Sequence, residues 1–443
     1  MIDFLRSSYY ATCSETWEHM SQTSQAFLGD KDIAHSIPVV PIEFGHGVAG
    51  DAFDDLVGIE LERHQATAQF PRVCVLDFRE TRWIDIASTQ RISAFYLAAR
   101  KRNWMTLVRP PRLKKVRDHW RLWRFPAAFE AATDTPFSRL IAGDDRSILN
   151  EQQSTYDERR ILRIHDGHDP HSLRSSNFWG FVSEKISPTN LPSVASKQAD
   201  LWSMDDVQDL LKKYIAGRVD YIPTRVVFEA IFNATKHPGA SVIQTASYHD
   251  KLARMKAQDK SEGRKSDFVM FFWDNGRSIL STIDDAISRQ VELKRHYLQD
   301  FERNYLLKFR PWDKENPYKN PVNSSIDVDL DLPDEVRLLS VLFPGVSTKP
   351  EMESIHQTHP ALNELDERLT RRGMGLFVLA NAVAEVLGGS LEFRTGRHYM
   401  HVKKTKPQTA ERTGAPLEIL VSETNPYLPD FEGNLITIRI PSV

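Results

Sequence analysis

Cysteine is almost absent: Cys13 and Cys74 are the only two in 443 residues. So few exclude a disulfide framework and suit a reducing cytoplasm, which is the expected compartment. No run approaches the roughly 20 apolar residues that a membrane-spanning helix needs. The opening Met1-Ile-Asp-Phe-Leu-Arg6 lacks the layout of a secretion signal. Net charge is only -3, which argues against bulk electrostatic binding to nucleic acid while leaving a local patch open. Internal repeats and long low-complexity tracts are also missing. What is present is the composition of an ordinary soluble protein, 41% apolar and 26% charged, in a chain long enough for two or three domains.

The most informative segment is Glu229-Ala-Ile-Phe-Asn233-Ala-Thr-Lys236-His237. On a helix, Glu229 and Asn233 share one face a turn apart. A carboxylate there can activate a water while the amide oxygen holds Mg²⁺. Phe272-Trp273-Asp274-Asn275-Gly276 is an apolar run ending in Asp-x-Gly, which reads as a buried strand that delivers a carboxylate to a turn. Arg372-Gly373-Met374-Gly375-Leu376 reads as a Gly-x-Gly opening a helix, where free N–H groups can bind phosphate. Each feature is common by itself, and their order makes them the parts of an ATP site.

In this order the segments resemble the GHKL ATPases: DNA gyrase, heat-shock-90-type chaperones, histidine kinases and MutL. Phe343-Pro-Gly345-Val-Ser347-Thr348-Lys349 resembles the phosphate-lid motif, and Gly388-Gly389-Ser-Leu-Glu-Phe with Gly433-Asn434 to Pro441 resembles the closing strands. The resemblance covers residues 200–443. It implies an α/β sandwich with a mostly antiparallel sheet under helices, binding ATP and Mg²⁺. By that correspondence Glu229 is the general base and Asn233 the Mg²⁺ ligand. Lys236 and His237 lie on the phosphate side, and Asp274 accepts from the adenine amino group with Gly276 leaving room for the base. Ser347, Thr348 and Lys349 belong to the lid, and Gly373, Met374, Gly375 and Leu376 wrap the phosphates. Two positions depart from the pattern. Ser278 replaces a second glycine, and Asn434 replaces a threonine that would reach the base through water.

Glu229, where typical histidine kinases have Asn, matches hydrolytic members and anti-sigma-factor serine kinases, and the local string is most similar to the latter. No dimerisation helix with a phosphorylatable His precedes the domain. The expected activity is therefore Mg²⁺-dependent ATP hydrolysis. A serine protein kinase and a non-hydrolysing ATP-sensing module of a stress or phage-defence system remain alternatives. A protein partner is expected, a homodimer is left open, and no membrane contact is expected.

Residues 1–139 read differently. Val73-Cys-Val-Leu-Asp-Phe78 suits a buried strand, Ser88 a helix N-cap for a helix to about Arg100, and Met105-Thr-Leu-Val108 a second strand before Pro110-Pro111. This predicts a βαβ unit. With Asp85 just before the helix, it resembles the STAS domain of anti-sigma-factor antagonists, which implies a sensor or docking role. The family's phosphorylatable serine position is Ala87 here. Residues 100–124 hold ten Lys or Arg, one acid and Trp104, Trp120 and Trp123. Such a segment can stack on nucleic acid, but a solvated helix packing its tryptophans on the sheet, or docking on an acidic partner, is favoured.

Residues 140–199 read as a polar linker. Within it His165, His168 and His171 have metal-ligand types in a Gly- and Pro-containing loop. Asp205 opens a helix with an acidic first turn. A long lid insertion is expected over 281–372, with a helix from Ser281 to Leu307 and a strand at Ile326–Leu332 whose three Asp share one face.

Overall fold

The computed structural model describes residues 39–142, 178–250, 267–281, 305–310, 334–342 and 375–442, with short breaks inside the first two spans. The chain divides into two compact units, Met1–Arg159 with Asn425–Asp430, and Arg160–Thr424 with Phe431–Val443. Both are mixed α/β. No described helix is long and apolar enough to cross a membrane.

The first unit runs β1 (Val39–Glu43), β2 (Gly47–Val48), α1 (Gly50–Arg63), β3 (Val73–Asp77), β4 (Trp83–Ile84), α2 (Ile86–Lys101), β5 (Met105–Arg109) and α3 (Phe125–Thr133). β1, β3 and β5 form a parallel sheet in that order. The expected βαβ is therefore present, and α1 makes a second crossover. All five residues of β3 are buried, which is why its sequence is an unbroken apolar run: parallel strands are covered on both faces. Cys74 lies among them, and burial pushes its thiol up to about 12, so it stays protonated and inert.

The helix N-cap is Asp85 rather than Ser88. Asp85 holds an extended backbone (φ -82°, ψ 167°), and its carboxylate accepts from the Ser88 N–H at 2.6 Å. A carboxylate caps with its full charge at the positive end of the helix dipole, so α2 starts before the serine. Ser88 is consequently buried, and Ala87 beside it has no hydroxyl to modify. Inside the unit, Asp54 of α1 and Arg91 of α2 pair at 2.8 Å, both almost fully buried.

Two of the tryptophans of the basic segment pack in the core of this unit. Trp120 is fully buried and edges onto Phe78 (5.4 Å) and Phe137 (6.1 Å) in an aromatic cluster that includes Phe125. Trp104 is also buried, with the guanidinium groups of Arg72 and Arg102 each 5.5 Å from its ring centre. These rings supply packing area to the core. Trp123 lies outside the described residues.

The second unit begins with β6 (Phe178–Lys185), α4 (Leu191–Ser203) and α5 (Asp205–Tyr214). Part of the stretch read as linker thus supplies an edge strand and a helix. A π-helical turn, Ile222–Val227, runs into α6 (Phe228–Ala234). Then come β7 (Val242–Asp250), β8 (Asp267–Asp274), β9 (Tyr305–Arg310), α7 (Asp334–Leu339), and α8 (Gly375–Asn381), which runs into a second π-helical turn, Ala382–Val386. β10 (Ser390–Gly396), β11 (His398–Lys404), α9 (Pro407–Thr413), β12 (Leu417–Glu423) and β13 (Phe431–Pro441) complete it. The strands make one eight-stranded sheet in the order β6-β7-β8-β13-β10-β11-β12-β9. All its pairings are antiparallel except that of β12 with β9.

Strand alternation puts one apolar face of this sheet under the helices. Phe268, Met270 and Phe272 of β8, Ile436, Ile438 and Ile440 of β13, Leu391 and Phe393 of β10, and Met400 and Val402 of β11 share a core with Phe228, Ile231, Leu376, Leu379 and Val383. Each fully buried Ile or Phe of this kind stabilises the fold by about 1.5–3 kcal/mol. Val269, Phe271 and Trp273, on the other face of β8, are buried as well, and this explains the continuous apolar run before Asp274.

Residues 305–307, expected to end a helix, instead begin β9. Tyr305 and Leu307 pack on the core from a strand paired with β12. Lys308 reaches Glu418 at 3.0 Å, and Lys403 of β11 meets the same carboxylate at 3.3 Å. This cross-strand ladder fixes the register of the added strand. The Ile326–Leu332 strand and the three histidines at 165–171 lie outside the described residues.

Candidate functional site

Glu229 and Asn233 sit a turn apart on α6, as their spacing predicts, and both are buried. They are buried because α6 packs between the sheet and α8. The Asn233 Nδ2 donates to the Glu229 carbonyl at 2.8 Å. That bond fixes which end of the amide is its oxygen and turns it away from its own helix backbone. Gly375, the first residue of α8, lies against both side chains. A Cβ on Gly375 would stand 2.6 Å from the Asn233 Oδ1 and Nδ2 and 2.9 Å from the Glu229 Oε2. The carboxylate and amide therefore meet glycine backbone from a segment far away in sequence. Leu376 follows it into the core. One turn before Glu229, Arg225 is half-buried in the π-helical turn. Burial lowers its guanidinium pKa, and the Glu229 charge opposes that shift. Both helices at this point carry π-helical turns, irregularities that recur at functional sites.

Asp274 ends β8 on the same pleat face as Phe272 and is 1% exposed. Its Oδ1 accepts from the Gly276 N–H at 2.9 Å, and the Asn434 Nδ2 reaches Oδ1 and Oδ2 at 3.2 Å each. Desolvation pushes the carboxyl from the ordinary 3.8 up to about 8, against these two hydrogen bonds, which pull it down. Gly276 has no room for a side chain, since a Cβ would lie 2.9 Å from the Asp274 Oδ1 and 3.0 Å from the Ala240 Cβ. Asn275 holds the turn: its Oδ1 accepts from the N–H groups of Ser241 and Val242 at 2.9 and 3.0 Å. At Ser278, which replaces the expected second glycine, the hydroxyl accepts from the Ser281 N–H at 3.4 Å, so serine suits the start of that helical turn.

Gly433 and Asn434 of the closing strand take on definite contacts, and Thr395 emerges as a residue that sequence reasoning did not place. Gly433 has φ +82°, and a Cβ there would fall on the Asp274 carbonyl, so only glycine lets β13 close against β8 at this point. Thr395 donates its hydroxyl to the Asn434 Oδ1 at 2.7 Å. Asn434 itself, read only as a departure, contacts Asp274 directly. A signal for Thr395 was present: Leu391-x-Phe393-x-Thr395 alternates on the core-facing side, and the polar third member breaks the pattern.

Of the remaining candidates, Lys236, His237, Ser347, Thr348, Lys349, Gly373 and Met374 lie outside the described residues. Among the described residues no group of three or more His, Cys, Asp or Glu could hold a metal ion. No protein-family model, curated protein or solved structure matches the chain.

Proposed function

We propose that the second unit is a GHKL-type nucleotide-binding domain, and that the chain is a Mg²⁺-dependent ATP-hydrolysing regulatory protein. The observation that carries this is the meeting of Glu229, Asn233 and Gly375. It puts a carboxylate, an amide oxygen and side-chain-free backbone in one place, with Asp274 at the end of a strand in the same unit. In this reading Asp274 accepts from the adenine amino group. The backbone at Gly375 and Leu376 faces the phosphates, and a Glu229 carboxylate oxygen takes the proton of the attacking water. The Asn233 oxygen and the nucleotide's own phosphates suit Mg²⁺, a hard cation that commonly takes one or two protein oxygens alongside substrate phosphate. When bound, the ion supplies charge neutralisation at the phosphates. Residues 343–372 would act as the lid whose closure over ATP alters docking of a partner, and the first unit as a STAS-like docking domain.

Incubation of the full chain with γ-labelled ATP and Mg²⁺ tests the reading. Release of free phosphate is expected. Label on protein would favour the serine-kinase alternative, which the Glu229-to-Asn233 string supports. Binding without turnover would leave an ATP sensor, and absence of binding sinks the proposal.

Asp274→Asn provides a test at the base. Exchanging an acceptor oxygen for an amide donor should cost on the order of 1.5–3 kcal/mol of ATP binding, roughly tenfold or more. The same variant has a stability signature. Because the folded carboxyl titrates at about 8 rather than 3.8, the folded state holds the proton more tightly than the unfolded chain. The stabilisation is fully present below pH about 4 and is lost as pH rises through about 8. A plot of Tm against pH should therefore fall less steeply over that interval in Asp274→Asn. Parallel plots for the two proteins would show that Asp274 does not titrate there.

A further inference from the structure

Asp274, Asn434 and Thr395 are direct cross-strand neighbours on β8, β13 and β10. They form one polar row at the end of the helix-facing side of the sheet. Two residues along each strand, the corresponding row is Phe272, Ile436 and Phe393, all buried hydrophobics. On β8, β13 and β10, polar groups thus replace apolar ones on this face at the row that contains the candidate base-reading carboxylate.

Within that row the amide of Asn434 is saturated. Its Nδ2 donates to Asp274 and to the Arg277 carbonyl at 3.0 Å, and its Oδ1 accepts from the Thr395 hydroxyl at 2.7 Å and the Ile279 N–H at 2.9 Å. Two donors and two acceptor lone pairs are all an amide has. The Ile279 N–H can only donate and the Arg277 carbonyl can only accept, so these two fix which end of the amide is its oxygen. Asn434 has nothing left to offer a base or a bridging water. The Oδ1 of Asp274 takes the Gly276 N–H as well as the shared Asn434 amide. Oδ2 meets only that amide among the described residues. One acceptor atom is left to read a ligand, and its direction is set by Asn434.

We propose that Asn434, braced by Thr395, is the positioning residue that makes Asp274 a single-acceptor reader of the nucleobase and so sets the preference for a 6-amino over a 6-oxo purine. This rests on the nucleotide-binding reading above. Once ionised, the held carboxylate accepts from the amino group of adenine and is repelled by the 6-oxo group of hypoxanthine, so the two nucleotides are compared above pH about 8. A carboxyl released from its clamp can turn to the N1–H that hypoxanthine presents, and the discrimination fades.

The test is calorimetric binding of Mg·ATP and Mg·ITP to the full chain, wild type against Asn434→Ala and Thr395→Val, with Tm as a check on folding. Wild type should prefer ATP. Asn434→Ala should lower the ATP-to-ITP preference by about tenfold, the scale of one hydrogen bond's net contribution. Thr395→Val, which loses one donor to the clamp and keeps the side-chain shape, should lower it by a smaller factor and serves if the alanine variant does not fold. A merely structural role would weaken both nucleotides together, so a preference unchanged in the folded variants overturns the inference alone. A wild-type chain that binds neither nucleotide overturns the nucleotide reading, and this inference with it.

Discussion

Glu229→Ala is expected to stop ATP hydrolysis while leaving Mg·ATP binding within a few-fold. The carboxylate's proposed task is to take a proton from water. Loss of a general base costs about 10²–10⁴ in rate, while the contacts that hold base and phosphates are untouched. Glu229→Gln, which keeps the packing against Gly375, should show the same loss, separating the missing base from a cavity. Steady-state phosphate release together with equilibrium binding makes the measurement. Unchanged turnover in either variant removes Glu229 from the role and with it the hydrolytic reading.

Gly375→Ala should be nearly as damaging from a position with no chemistry of its own. The added methyl would stand 2.6 Å from the Asn233 amide and 2.9 Å from the Glu229 carboxylate, well inside contact distance. The atoms it meets are side-chain ends, so the helices can stay where they are while both functional groups are pushed aside. The expected result is a Tm close to wild type with turnover reduced on the order of 10²-fold, the usual cost of displacing a catalytic group by about 1 Å. Normal turnover would mean that Glu229 and Asn233 work in another arrangement. A collapse of Tm would mean that the glycine serves packing alone.

Local patterns were legible wherever one periodicity governed a segment. The buried runs before Asp77 and Asp274, the strand at Met105 and the acidic start of α5 all follow from apolar runs, burial on both faces or helix-end electrostatics. The spacing of Glu229 and Asn233 placed them on one helix face because helical geometry leaves no other arrangement. Reading failed where a neighbour in space overrode the local signal. Residues 305–307 carry a pattern compatible with a helix, yet the exposed edge of β12 offers unpaired backbone groups and a Glu418 partner for Lys308, and pairing with them makes a strand. At α2 two capping residues compete within one turn, and the charged one wins. The edge strand β6 follows a stretch rich in polar residues and was hidden by it, since composition does not reveal a pairing partner.

The sequence by itself determined the chemistry available: which carboxylates, amides and glycines exist, and which of them a single helix or strand must present together. Only the tertiary structure decided which distant segments complete one another. Gly375 reaches Glu229 because α8 packs on α6. Asp274, Asn434 and Thr395 become a row because β8, β13 and β10, far apart along the chain, are neighbours in register. Side-chain spacing within one element follows from backbone geometry and needs no partner. Contact between elements depends on which apolar faces bury one another across the whole unit, and no short segment of sequence carries that information.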